Sequence, residues 1–226
     1  MEHIKRTPLA QRVLPDYTRG EEIMNMVTHI VGGAAGVLIL VFGVLIGAAH
    51  HNAWAIVSAA IYGFTAIALF SVSSVYHGLR DGMAKRVMQV IDHCTIYLLI
   101  AGTYTPILLT GIRETDPKAA WIVFGIEWGC AAAAAVFTAI DLKKYAKLSM
   151  VCYLAMGWAV IAIFRQTVAV MTTDGFLLLL AGGIFYTMGA VLYGLGKKHR
   201  YVHSVFHIFV DIGSLMQALA ILKYVL

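Results

Sequence analysis

The feature that most restricts this chain is the return, again and again, of apolar runs long enough to cross a bilayer. A spanning helix needs about 20 mostly apolar residues. Seven stretches approach or exceed that length: residues 24–50, 53–79, 87–110, 119–140, 148–164, 175–195 and 202–225. In hydrocarbon the backbone N–H and C=O groups must be satisfied inside the segment, so runs of this length fold as helices. The expectation is an all-α, polytopic membrane protein, a seven-transmembrane-helix bundle. Composition agrees, with 60% hydrophobic residues, 13% charged and a mean hydropathy of +0.80. A soluble domain carries about 25% charged residues.

Residues 1–23 lack an apolar core and hold Pro8 and Pro15. They read as a short retained tail rather than a cleavable signal, with residues 24–226 as the membrane domain. Lys and Arg fall unevenly between the runs. Thirteen of the 17 sit in the tail or in the loops after the second, fourth and sixth runs, and four on the opposite side. The positive-inside rule then places the N-terminus in the cytoplasm and the C-terminus outside.

Cys94, Cys130 and Cys152 lie in apolar runs without C-x-x-C spacing, which argues for packing and against disulfides. The net charge of +5 does not imply nucleic acid, because the basic residues cluster in loops and no aromatic residues interleave them. Gly32, Gly36, Gly43 and Gly47 form two G-x-x-x-G pairs in the first run. With Gly182, Gly183 and Gly189 in the sixth, they predict close helix packing. Pro106 is expected to kink the third helix or end its regular part.

Orientation gathers the polar residues of these runs at one depth. His77 ends the second run, Asp92 begins the third, and His203 and His207 begin the seventh, while Asn25 and His29 begin the first. His203 and His207, at i and i+4, share one helix face and are placed to share a metal ion. Ser73 and His77 repeat the spacing. Three histidines with an open fourth position make a catalytic type of zinc site. Asp92 would supply the compensating negative charge and act as general base on a metal-activated water. Ser73 would help hold the oxyanion.

The remaining polar residues are assigned more plainly. His93 lies about 100° from Asp92 around a helix and is assigned to packing or to an outer shell of the site. Asp211 continues the histidine face one turn deeper, as an acceptor for an imidazole N–H or a proton-path residue. Glu127, near mid-membrane in the fourth run, is an unexplained ionisable group and so a functional candidate. His3, His50, His51 and His199 read as surface residues.

The stretches EEIMNMVTHIVG, SVSSVYHGL, IDHCTIYLLIAGTYTP, YLAMGW and HSVFHIFV together resemble the bacterial haemolysin III proteins. That family is similar to the progestin and adipoQ receptors and to a membrane hydrolase superfamily that includes alkaline ceramidases. The resemblance covers Glu21 to Leu226. It implies a seven-helix bundle with an intracellular N-terminus and a Zn2+ site near the cytoplasmic leaflet. By it, His77, His203 and His207 are the metal ligands and Asp92 holds the metal's water. Ser73 sits beside the site, and Asn25 and His29 belong to the first-helix motif, in a structural or outer-shell role. Asp211, Gln217 and Ala218 depart from the family's seventh-helix pattern.

The leading functional expectation is a zinc-dependent hydrolase acting on a membrane lipid or fatty-acyl amide or ester near the cytoplasmic leaflet. A non-catalytic receptor or regulator of lipid homeostasis with structural zinc is the main alternative. A haemolysin-type pore is less well supported, since no polar stripe runs the length of any helix, and a proton or cation transporter using Glu127, Asp211 and Asp92 at staggered depths is a weaker alternative. The partners expected are the bilayer and its lipid, with no nucleic acid, and self-association is left open.

Overall fold

The first helix begins where its chemistry says it should. Thr18 accepts a hydrogen bond from the Glu21 N–H, and the Glu21 carboxylate accepts from the Thr18 backbone N–H at 2.8 Å, a closed capping box. The computed structural model describes residues 6–195 and 199–226. Its main elements are α1 (Arg19–Ala49), α2 (Ala53–Gly78), α3 (Met83–Pro106), the short α4 (Arg113–Thr115), α5 (Pro117–Ile140), α6 (Ala146–Gly157), α7 (Phe164–Leu195) and α8 (Val202–Tyr224). Among the described residues there are no strands.

Among the described residues, six helical stretches are long and apolar enough to cross a membrane, where the hydropathy pattern predicts seven. The difference lies between residues 146 and 195, which form one stretch of 50 residues. Helical turns bridge the gap left between the two expected runs. The stretch is not a straight rod. A 3-10 segment, Ala159–Ile163, follows Gly157 and Trp158, and Thr172 breaks α7 with a left-handed φ of 61°. The Tyr104 hydroxyl donates to Gly157 O (3.1 Å) and accepts from the Val160 N–H (2.7 Å). It thereby satisfies backbone groups freed at the first break, as an apolar environment requires.

Pro106 ends the regular part of α3, and the chain continues as a π-helix over Ile107–Ile112. The α3 stretch, Met83–Thr115, is the central element and the most deeply buried of these stretches. Neighbouring helices pack in chain order around it, and α8 closes the ring by packing on both α7 and α1.

Glycines set that closure. A Cβ at Gly36 would meet the Ile67 backbone nitrogen at 3.0 Å, and one at Gly47 the Ile56 nitrogen at 2.8 Å, so α1 and α2 pack backbone to backbone. Gly182 and Gly213 bring α7 and α8 together in the same way. Gly183 departs from the packing expectation, because a Cβ there would meet nothing within 4 Å. It borders a cavity instead. Lys5, Lys197, Lys198 and His3, counted in the charge and surface assignments, lie outside the described residues.

Candidate metal centre

The starts of α1, α3 and α8 and the end of α2 meet at one end of the bundle. The entry to α8 is fixed by α1. Tyr201 takes a left-handed φ of 61°, and its N–H donates to Glu21 Oε1 at 2.7 Å. The carboxylate that caps α1 thus also sets where α8 begins, and with it the position of His203 and His207.

His77, His203 and His207 each offer a ring nitrogen, and the three lie within 4.8 Å of one another. His203 Nε2 and His207 Nε2 are 3.1 Å apart. Two nitrogens sharing a tetrahedral zinc, each at 2.0–2.1 Å, would stand about 3.3 Å apart. Hydrogen bonds select the tautomers that such an ion needs. His77 Nδ1 donates to Glu22 Oε2 at 2.7 Å, leaving Nε2 as a lone pair, and that Nε2 is buried without a partner. His207 Nδ1 donates to the Asn25 carbonyl oxygen at 3.2 Å, which frees its Nε2 likewise. A buried, unsatisfied nitrogen aimed at two others calls for a cause, and these residues fit a zinc ion held by three imidazoles.

Around the histidines the packing is polar and closed. Lys85, 3% exposed, donates to Glu22 Oε1 at 2.6 Å and to Leu79 O at 2.9 Å, so the Glu22 carboxylate is engaged on both oxygens. Asn25 is fully buried, and its Oδ1 accepts from Ser204 Oγ at 2.6 Å. Tyr17, ahead of α1, stacks on His203 with centroids 4.9 Å apart. Burial pushes the Tyr17 phenol well above its usual value, so it stays protonated.

Ser73 and Asp92 face one another beside the histidines, on the wall of a cavity of about 200 Å³ that His203 and His207 also line. The cavity reaches from Tyr17 down to Gln217, and the fourteen helical steps from His203 to Gln217 in α8 span about 21 Å at 1.5 Å per residue. Most of its deeper wall is apolar, with Leu99, Ile107, Val160 and Leu179 among the lining residues. The site therefore places an acid group, a hydroxyl and three convergent imidazoles at the head of an apolar slot.

The other sequence-level candidates fall as follows. His29 stacks face to face on His207 (3.7 Å between centroids) but is not among the three converging nitrogens, and both its ring nitrogens lack partners. Asp211 lies one turn beyond His207, with a buried Oδ1 that has no partner. Gly32 makes room for it, since a Cβ there would stand 2.5 Å from that oxygen. His93, assigned to packing or to an outer shell, lines the same cavity as Asp92. Glu127 is 1% exposed with an unpartnered Oε2 and lies away from the cavity lining. Sequence reasoning missed Glu22, Lys85, Ser204 and Tyr17. Glu22 had a signal, as Glu22, Asn25 and His29 at i, i+3 and i+7 share one helix face. Tyr17 had none.

An integral membrane protein of helical architecture, with a buried histidine cluster at one end, is the class this fold and site define. The chain belongs to the Haemolysin-III related family, whose model matches residues 17–218. It is 35% identical to Hemolysin-3 of Bacillus cereus over 206 residues, 91% of this chain and 92% of that one. It is 36% identical to the Hemolysin-3 homolog of Bacillus subtilis (strain 168) over 208 residues, 92% and 96% of the two chains. The Monocyte to macrophage differentiation factor of Homo sapiens is 28% identical over 231 residues, 97% of this chain and 90% of its own. No solved structure matches the chain.

Proposed function

We propose that this protein is a zinc-dependent hydrolase of a lipid amide or ester. The observation that carries the reading is the convergence of His77, His203 and His207 beside Asp92 and Ser73 at the mouth of an apolar cavity. Bound zinc would act as a Lewis acid on the scissile carbonyl and raise the acidity of water at the site. The chain's own residues supply the rest. Asp92 takes a proton from the attacking water and returns it to the leaving group. Ser73 donates a hydrogen bond to the developing oxyanion, and the apolar wall holds the acyl chain. Glu22 and the Asn25 carbonyl fix the tautomers of His77 and His207.

In this reading the stretch Ala146–Leu195 crosses the membrane twice. At 1.5 Å per residue, 50 helical residues would extend about 75 Å, more than twice the hydrocarbon thickness. The break at Thr172, between the two expected runs, supplies the turn. Seven spans then follow, with residues 1–23 as a cytoplasmic segment, residues 24–226 as the membrane domain, and the C-terminus outside a bacterial inner membrane. The 13 basic residues on the N-terminal side support that orientation.

A second reading rests on the Glu22–Lys85–His77 network, which joins α1, α2 and α3 and would let zinc serve only to hold the helices together. Metal analysis of the wild type against the His203→Ala/His207→Ala double variant, followed by turnover assays on ceramides, phospholipids and acyl amides, separates the readings. Metal binding with turnover supports the hydrolase. Metal binding with inertness on every lipid class leaves structural zinc. Conductance in clean bilayers would instead favour the lytic activity for which the Bacillus relatives are named.

A further inference from the structure

The segment ahead of α1 folds back over the histidine cluster. Leu9–Gln11 makes a 3-10 turn, and Arg12 is 7% exposed. Three hydrogen bonds tie this segment to distant parts of the chain. The Thr7 N–H donates to Asp141 Oδ2 at 2.9 Å, Arg12 Nη2 to Ile140 O at 2.9 Å, and Arg86 Nε to Arg12 O at 2.9 Å. From these anchors the chain runs to Pro15 and Tyr17, both of which line the cavity. The Tyr17 ring lies over His203 at 4.9 Å and 5.8 Å from His77.

Two observations say the anchors are weaker than their number. Arg12 Nη1 is buried without a partner, so part of the guanidinium's desolvation is left uncompensated. The segment also buries little apolar surface of its own, with Val13 86% exposed. A segment held by a few polar bonds rather than by a core opens at low free energy.

We propose that residues 6–18 are a latched cover over the histidine cluster, with Tyr17 as its plug, and that small hydrophilic solutes reach the cluster only when the latch releases. Arg12, Arg86 and the Ile140–Asp141 corner are the latch. The cover rests on these contacts alone and holds whether or not the site cleaves lipid.

The test reads access directly and needs neither metal nor turnover. A reporter cysteine replaces Gln89, which lines the cavity and is 8% exposed, in a full-length chain whose Cys94, Cys130 and Cys152 are changed to alanine. The rate of its modification by a charged, membrane-impermeant thiosulfonate is measured in lipid nanodiscs. Arg12→Ala/Arg86→Ala is expected to raise that rate about tenfold, the factor carried by 1.4 kcal/mol of lost latch. Tyr17→Ala raises it similarly and Tyr17→Phe leaves it slow. Should the double variant not fold, the Tyr17 pair decides alone. Equal rates in all variants overturn the cover. So does a parent that reacts as fast as a Val13→Cys control, or a reporter unreactive even with Tyr17→Ala.

Discussion

His77 Nδ1–H donates a hydrogen bond to Glu22 Oε2 across 2.7 Å, while its Nε2, also buried, has no partner. A histidine so held presents a fixed lone pair to His203 and His207. Loss of an outer partner of this kind costs about 10–100-fold in metal affinity. Glu22→Gln should therefore weaken zinc binding by about that factor, measured by chelator competition, while His77→Ala weakens it further. Unchanged affinity in Glu22→Gln would show that Glu22 serves the fold and not the ion.

Asp92 and Ser73 sit on the cavity wall rather than among the three converging nitrogens. Asp92→Asn is accordingly expected to keep its metal and lose turnover by about 10²–10⁴, the range for a missing general base. Zinc content by elemental analysis beside a lipid-hydrolysis rate makes the distinction. Parallel loss of both would move Asp92 into the metal's own coordination.

Gly47 packs where a Cβ would stand 2.8 Å from a backbone nitrogen of α2, whereas Gly125 has nothing within 4 Å. Gly47→Leu should cost about 1–3 kcal/mol through overpacking. Gly125→Ala should leave stability level or slightly raised, since alanine favours a helix. Thermal unfolding of the pair in one detergent is the comparison, and equal midpoints would remove the argument for close packing of α1 on α2.

Asp141 lies outside the spans, in the turn after α5. Burial raises its carboxyl, but the Thr7 and Lys144 N–H groups and Arg12 more than offset that and leave it at about 2. A carboxyl whose folded pKa is depressed stabilises the fold above its unfolded value, and that contribution is lost as pH falls through the folded one. Asp141→Asn should thus destabilise the protein by about 1 kcal/mol at neutral pH, after discounting for aqueous screening. The gap to wild type should close as pH falls from about 4 to about 2. A gap that stays constant over that range would assign the effect to lost hydrogen bonds rather than charge.

Gly183 borders the cavity with open space where a side chain would go. Gly183→Leu is expected to shorten the longest acyl chain accepted, raising KM for long substrates with zinc content unchanged. A series of chain lengths reads this, and an unaltered preference would place the acyl chain elsewhere.

How much of this was legible beforehand follows from the range of the contacts involved. The spacing of His203 and His207, or of Ser73 and His77, is set by 3.6 residues per turn within one helix. The apolar runs, the end of regular α3 at Pro106 and the glycine-lined face of α1 follow equally from local rules. Even Glu22 could have been found, one heptad before His29. Apolar periodicity could not reveal that turns would fuse residues 148–164 and 175–195 into one helical stretch, because the bridge holds Arg165, Gln166 and Asp174 and reads as a polar break.

The sequence by itself determined that this chain is helical, membrane-spanning and equipped with histidines at shared helix faces, since periodicity and hydropathy act over a few turns. Only the tertiary structure decided which faces meet. Tyr17 reaches His203, and Thr7 reaches Asp141 across 134 residues, through contacts that no local pattern encodes. Where α8 begins depends likewise on a carboxylate 180 residues earlier. The convergence of the three imidazoles is thus a property of ring closure, fixed by backbone packing at Gly36, Gly47, Gly182 and Gly213.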